Sequence, residues 1–134
     1  MSILDTGKAY VFSPVSVSVT MDGKPVVNAK VVRSWELERI ETDSTTTDEH
    51  GQFSFAAVRR WSFSQMPLIE YVAGQDIIVT VAEKEYRIWL NAKRDTGINS
   101  ELGGKPLVMT CELTTEVRMV RVSGQTLFTN CLWD

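Results

Sequence analysis

Residues 15–58 read VSVSVTMDGKPVVNAKVVRSWELERIETDSTTTDEHGQFSFAAV, and this stretch decides the fold. Runs in which apolar and polar residues alternate are separated by two turn signals, DGKP at residues 22–25 and DEHG at residues 48–51. A period of two places every second side chain on the same face of a strand. The stretch therefore predicts a β-meander with one face buried and the other in contact with water.

The apolar positions of these runs define the buried face. Asp22-Gly23 favours a two-residue hairpin turn after the first run, and the polar segment 44–47 is expected to form an edge strand. Arg33 interrupts the second run. We expect it either to extend toward solvent near a sheet end or to mark a bulge that shifts the register. The residues predicted to face inward are Val15, Val17, Val19, Met21, Ala29, Val31, Trp35, Leu37, Phe53 and Phe55.

The rest of the chain continues the β pattern. Short strands are predicted at residues 9–12 and from residue 76, and a hairpin is predicted around residues 123–125. In the strand over residues 85–91, alternation places Leu90 inward and Trp89 outward. The pattern predicts an all-β protein with a single antiparallel β-sandwich of about seven to nine strands.

Length and composition limit the functional classes. The 134 residues suffice for one domain with a buried core, residues 1–134. A net charge of −3 with scattered Lys and Arg argues against nucleic acid as a partner. The N-terminal residues MSILDTGK show no signal peptide, and no apolar run is long enough to span a membrane. A cytoplasmic location is expected.

Two segments break the alternation and supply the candidate partner-binding residues. Residues 59–67 are predicted to form one helical turn or an irregular loop, which either closes one end of the core or docks on a partner. Residues 92–106 form a long loop, and such loops are often binding elements. Trp89 is either covered by a neighbouring segment or part of an exposed patch. The candidates are Arg59, Arg60, Trp61, Phe63, Met66, Trp89, Arg94 and Glu101.

The sequence offers little catalytic or metal-binding chemistry. His50 is the only histidine, and its place in a predicted turn favours a solvated polar residue. Asp43, Asp48 and Glu49 lack a calcium-binding loop, and no Cys/His cluster has zinc spacing. No nucleophile–base pair or phosphate-binding loop is indicated. We therefore expect no enzymatic activity, no catalytic residue, no metal site and no cofactor.

The pattern GKPVxxAxV at residues 23–31, followed by TTTDExGxFxF at residues 45–55, resembles the carboxypeptidase regulatory-like family. Domains of that family are transthyretin-like (prealbumin-like) β-sandwiches with an Ig-like arrangement of about seven strands. The resemblance implies the fold of this chain. It implies no activity, because such sandwiches serve many unrelated roles.

The segments GGKP at residues 103–106, CEL at 111–113 and CLWD at 131–134 are similar to a group of uncharacterised proteobacterial proteins associated with secreted-toxin loci. This similarity implies a bacterial partner: a secreted toxin or effector, or a secretion component, in a type VI secretion-like context. The leading hypothesis is an immunity or accessory protein that binds by loop or edge-strand contacts. The alternatives are a carbohydrate- or surface-binding domain using exposed Trp61 and Trp89, and a structural homodimer or larger homo-oligomer.

Cys111 and Cys131 are the only cysteines, and both are predicted to face inward. They are either bridged or two buried free thiols. The lack of a signal peptide favours thiols, whereas the even count and the CEL and CLWD similarity favour a bridge. A disulfide would indicate a periplasmic or exported protein.

Overall fold

The structure is a computed structural model that describes residues 8–61 and 70–134. These residues confirm the all-β prediction, since the only helical element among them is one 3-10 turn, Ser100–Leu102. The strand count exceeds the expected number of about seven to nine, because very short segments also pair. The strands are β1 Lys8–Phe12, β2 Val15–Met21, β3 Lys24–Pro25, β4 Lys30–Glu36, β5 Ile40–Thr46, β6 Gln52–Phe55, β7 Val58–Trp61, β8 Ala73–Val81, β9 Lys84–Lys93, β10 Leu107–Glu112, β11 Arg118–Val122, β12 Gln125–Thr129 and β13 Cys131–Leu132.

The strands form two larger sheets and a two-stranded ribbon. The first sheet has six strands in the order β11-β12-β9-β8-β4-β5, and all its pairs are antiparallel. The second sheet has the order β13-β10-β2-β3, with β6 also paired to β2. Within it β2 and β10 run parallel, while the ribbon pairs β1 with β7. Buried side chains of both sheets share one core, which gives a sandwich-like arrangement.

The organising stretch folds as the alternation predicts. Val15, Val17 and Val19 are buried, and the rings of Phe53 and Phe55 meet edge to face with centroids 5.6 Å apart. The β2–β3 turn has positive φ at Asp22 and Gly23, as a two-residue hairpin requires. Each of these strands therefore presents its apolar side to the core.

Arg33 is neither near a sheet end nor at a bulge, so both expectations for it were wrong. The pairing of β4 with β5 and with β8 runs without a register shift. Arg33 is almost fully buried, and its guanidinium donates to Asp43 at 3.0 and 2.6 Å and to the Ala56 carbonyl at 2.8 Å. A core position can hold this charge because its donors are satisfied there.

Trp89 is fully buried, which corrects the prediction that it faces outward. Ile77 pairs with Trp89 but the next residue, Ile78, pairs with Arg87. Ile88 is therefore the extra residue of a β-bulge, and the bulge reverses the alternation of the rest of β9. Leu90 consequently faces outward rather than inward.

The described parts of the two irregular segments are more regular than predicted. Arg59, Arg60 and Trp61 belong to β7, where Arg59 pairs with Tyr10, not to a loop. Phe63 and Met66 lie outside the described residues. Of the predicted loop at 92–106, the first two residues belong to β9 and residues 100–102 form the 3-10 turn.

The two cysteines are joined by a disulfide, which decides between the two alternatives. Cys111 and Cys131 lie directly opposite each other in the β10–β13 pair, and both are fully buried. The bond ties the two-residue strand β13 to the centre of the second sheet. No helix among the described residues has the length and apolarity needed to cross a membrane.

Candidate partner-binding surface

The candidates on β7 form one cluster with an exposed tryptophan. The Arg59 guanidinium lies over the Tyr10 ring, 4.7 Å from its centroid. Arg60 donates to the Glu41 carboxylate at 3.2 and 3.3 Å. Trp61 exposes 59% of its surface beside these ordered arginines. The arginines thus support the ribbon, and Trp61 is the side chain that a partner could cover.

Glu101 does not steer a partner, because its side chain is fully buried. Its carboxylate accepts hydrogen bonds from the Ser13 amide (2.9 Å), the Ser13 hydroxyl (2.7 Å) and the Gln75 side-chain amide (3.0 Å). Gln75 also accepts a hydrogen bond from the Trp89 indole at 3.0 Å. This network anchors the 3-10 turn to the core, so neither Glu101 nor Trp89 belongs to a binding surface.

The same polar region shifts the pKa of two neighbouring groups. Burial, followed by the negative charges of Glu101 and Asp95, raises the pKa of the Tyr71 hydroxyl. Burial lowers the pKa of Lys93, whose ammonium donates to the backbone carbonyls of Asp95 and Gly97. These bonds hold the 95–97 backbone in place, which is a structural role.

Arg94 and His50 are both at the surface. The Arg94 guanidinium pairs with Glu70 at 2.6 Å, and the two side chains are largely exposed. His50 lies in the turn before β6, with its Nε2 atom 3.4 Å from the Glu49 carboxylate. Within residues 8–61 and 70–134, no group of three or more His, Cys, Asp or Glu side chains is placed to hold a metal ion.

An apolar row that the sequence did not predict lies on the outer face of the six-stranded sheet. Met119 lies opposite Phe128, and Phe128 lies opposite Leu90, so the three side chains cross three adjacent strands in register. Their exposed fractions are 58%, 40% and 38%. Cross-strand neighbours of this kind are close enough to act as one surface.

Part of this apolar row could have been found from the sequence. Alternation in the predicted hairpin already places Met119 and Phe128 on the side opposite Leu127, which is buried. Leu90 could not have been assigned to the same face, because its outward position depends on the bulge at Ile88. The row therefore exists only once β9 has folded against β8.

A trough of about 680 Å³ lies on the second sheet. Its floor carries hydroxyl side chains on neighbouring strands, since Ser16 lies opposite Ser54, and Ser18 lies opposite Thr110. Its other lining residues include Asp48, Gln52, Val108, Leu132, Trp133 and Asp134. The trough offers hydrogen-bonding hydroxyls and, besides the buried Phe53, the partly buried ring of Trp133.

A smaller pocket of about 340 Å³ adjoins the 3-10 turn. Two of its polar lining groups are already engaged within the protein. Gln125 donates to the Ser100 carbonyl at 2.6 Å, and Arg94 pairs with Glu70. Gln125 and Arg94 thus stabilise the fold through these contacts.

The Glu112 carboxylate closes the β2–β3 turn. It accepts hydrogen bonds from the Thr114 hydroxyl (2.6 Å) and amide (3.0 Å), and from the backbone amides of Gly23 (2.8 Å) and Asp22 (3.0 Å). The Thr114 hydroxyl, then these amides, lower the Glu112 pKa from its usual 4.5 to about 2. Because hydrogen bonds to the charged form cause the shift, protonation must weaken the folded state.

Glu112→Gln should therefore flatten the acid dependence of stability. A carboxyl with a lowered pKa in the folded state stabilises the protein above pH 4.5, and this contribution is lost as the pH falls toward about 2. Thermal unfolding followed by circular dichroism at stepped pH should show a smaller drop across that interval for Glu112→Gln than for wild type. Glu38→Gln, which removes one surface carboxylate, is the matched control. Parallel curves for wild type and Glu112→Gln would contradict the assignment.

The fold and these surfaces define the class as an all-β, sandwich-like domain with an apolar row on one sheet and a hydroxyl-lined trough on the other. Within that class, the chain belongs to the family described as a domain of unknown function (DUF6795), whose family model matches residues 15–116. No curated protein and no solved structure gives a significant match to the chain. The resemblance to carboxypeptidase regulatory-like domains stays a prediction.

Proposed function

We propose that this domain is a non-enzymatic protein-binding module that contacts its partner through the apolar row. The observation that carries the proposal is the exposure of Met119, Phe128 and Leu90 in register on three adjacent strands. Exposed apolar groups that form a continuous surface often mark interaction sites, and Met and Phe are enriched in interfaces. The rigid sheet beneath keeps the row in one arrangement, which lowers the entropy lost on binding.

The proposed partner is a secreted toxin or effector, or a component of its secretion system. Support for this class comes from the similarity of the GGKP, CEL and CLWD segments to proteins associated with secreted-toxin loci. The domain would then act as an immunity or accessory protein that covers the partner. The buried disulfide supports a location in an oxidising compartment, because such bonds persist outside the reducing cytosol.

Phe128→Asp should reduce affinity for the partner at least tenfold, because it places a charge in the centre of the apolar row. The partner is sought among the products of neighbouring genes by co-expression, and its affinity is measured by calorimetry. Val108→Asp, on the outer face of the second sheet, is the matched control and should bind as wild type does. Circular dichroism checks that both variants fold.

Two outcomes would contradict the proposal. One is that no neighbouring product binds. The other is that Phe128→Asp binds as tightly as wild type while Val108→Asp loses affinity. That result would place the partner-binding surface on the second sheet.

The trough favours a second candidate function, carbohydrate binding. Hydroxyl groups in adjacent rows can hydrogen-bond to sugars, and the Trp133 ring at the trough offers a stacking surface. Of the two tryptophans first considered for this role, Trp89 is buried and only Trp61 is exposed. Under this alternative, soluble glycans would shift the tryptophan fluorescence of wild type but not of Trp133→Ala.

A further inference from the structure

The two edges of the six-stranded sheet differ in the sign of the charges they carry. On β5, Asp43 points inward and holds Arg33, while Glu41 holds Arg60. Inward-pointing charges on an edge strand discourage pairing with another chain. The opposite edge, β11, reads Arg-Met-Val-Arg-Val and has no acidic residue and no proline. Among the described residues, β11 pairs only with β12.

Hairpin geometry shows which backbone groups of β11 face the open side. Ser123 and Gly124 both have positive φ, which makes a two-residue turn whose flanking pair, Val122 and Gln125, is hydrogen-bonded. In an antiparallel pair, hydrogen-bonded positions alternate with positions whose N–H and C=O groups point away from the partner strand. Met119 and Arg121 therefore present their N–H and C=O groups to the open edge.

The charges on β11 indicate which strand could fill this edge. Arg118 is engaged within the protein, since it donates to the Thr129 and Cys131 carbonyls at 3.3 and 2.9 Å. Arg121 is exposed. A second copy of β11 paired there would bring four guanidinium groups together without a carboxylate on either strand. An extended segment with acidic side chains would instead neutralise Arg121.

We propose that β11 accepts an extended acidic segment of the partner protein as a seventh strand of this sheet. This inference rests on the proposed protein-binding function. The bound strand would hydrogen-bond to the backbone of Met119 and Arg121 and place a carboxylate beside the Arg121 guanidinium. An apolar side chain next to Met119 would extend the apolar row. Strand addition would thus fix the orientation of the partner segment, while the apolar row would supply apolar contact with the partner.

The test uses a blocked synthetic peptide, Thr-Val-Thr-Glu-Thr-Val-Thr, in which glutamate and the two valines share one face, and its counterpart with lysine in place of glutamate. We expect the glutamate peptide to bind wild type at least tenfold more tightly than the lysine peptide, as measured by amide NMR shifts. In hydrogen exchange, the amides of Met119 and Arg121 should be unprotected in the free protein and become protected with the peptide. The amides of Val120 and Val122 should be protected in both states.

Variants separate the backbone contribution from the charge. Met119→Pro removes one open-edge N–H, a change that edge strands tolerate, and should abolish peptide binding without loss of charge. Arg121→Glu should reverse the preference toward the lysine peptide, and Arg121→Lys should retain the wild-type preference. Circular dichroism checks that each variant is folded.

Three results would overturn strand addition, and they differ from failure of the proposed function. The first is that the glutamate peptide leaves the Met119 and Arg121 amides unprotected at millimolar concentration. The second is a wild-type dimer that Met119→Pro dissociates. That result would show that β11 pairs with a second copy of the chain. The third is a neighbouring-gene partner whose binding depends on Phe128 but leaves both amides exchanging freely. In the third case the protein-binding function would stand and the seventh strand would not.

Discussion

Asp43→Ala is expected to lower the free energy of unfolding by about 3 kcal/mol, the largest single-residue effect we anticipate. The Arg33 guanidinium is buried, and the Asp43 carboxylate takes two of its hydrogen bonds, at 3.0 and 2.6 Å. Removing one partner of a buried pair leaves an uncompensated charge, which costs about 3–5 kcal/mol. The lower end applies here, because the Asp43 side chain is partly exposed and water can replace some of its contacts.

The reverse variant, Arg33→Met, should cost less than Asp43→Ala. It leaves the carboxylate as the unpaired group, and that group can be hydrated where it stands. It also removes the contacts of the guanidinium with the rings of Phe12, Trp35 and Phe55, whose centroids lie 4.5–5.2 Å away. The methionine side chain keeps apolar and sulfur contacts with these rings, so only the electrostatic part of the guanidinium contacts is lost, and the Arg33→Met cost will be small but not zero.

Urea unfolding of the two single variants and the double variant measures this asymmetry. The double variant Arg33→Met/Asp43→Ala should be more stable than Asp43→Ala alone, because it no longer buries an unpaired charge. Equal costs for the single variants, or a double variant that loses the sum of both, would show that the pair is not the source of the stability.

Loss of the disulfide should cost about 3 kcal/mol, the second large effect. Cys111 and Cys131 are 20 residues apart, and a cross-link of that span restricts the unfolded chain by about this amount in the chain-entropy model. In the folded state the bond joins the two-residue strand β13 to β10. We therefore expect the C-terminal strand, with Trp133 beside it, to separate most readily from the sheet when the bond is absent.

The measurement compares urea unfolding of wild type and of Cys111→Ala/Cys131→Ala, with and without dithiothreitol. Wild type should lose about 3 kcal/mol when reduced, and the double variant should show the reduced stability in both conditions. Thiol titration of the unfolded protein establishes the redox state. Unchanged wild-type stability after complete reduction would refute the stabilising role.

The predicted and observed faces of individual strands show which features a local sequence pattern can predict. Alternation correctly predicted the inward faces of β2, β6 and β10, because each of these strands keeps a constant register with its neighbours. It failed on β9, where the bulge at Ile88 turned Trp89 inward and Leu90 outward. A bulge arises from pairing with another strand, so the periodicity of β9 alone could not predict it.

The candidate site depended even more on distant contacts. Glu101 belongs to a polar loop in the sequence, yet its carboxylate is buried because Ser13 and Gln75 supply donors from other elements. Arg59, Arg60 and Trp61 belong to a strand and not to the predicted loop. The apolar row was missed, because its three members come from three strands that meet only in the folded sheet.

The amino-acid sequence by itself determined the all-β class, the positions of the main turns and most of the buried face. These depend on the period of hydrophobicity and on turn residues, which act over a few positions. The tertiary structure decided the parallel β2–β10 pair, the disulfide, the burial of Arg33, Trp89 and Glu101, and the composition of the outer surfaces. Each of these arises where residues far apart in the chain satisfy one another's hydrogen bonds, charge or apolar area, and such partners exist only after the strands have paired.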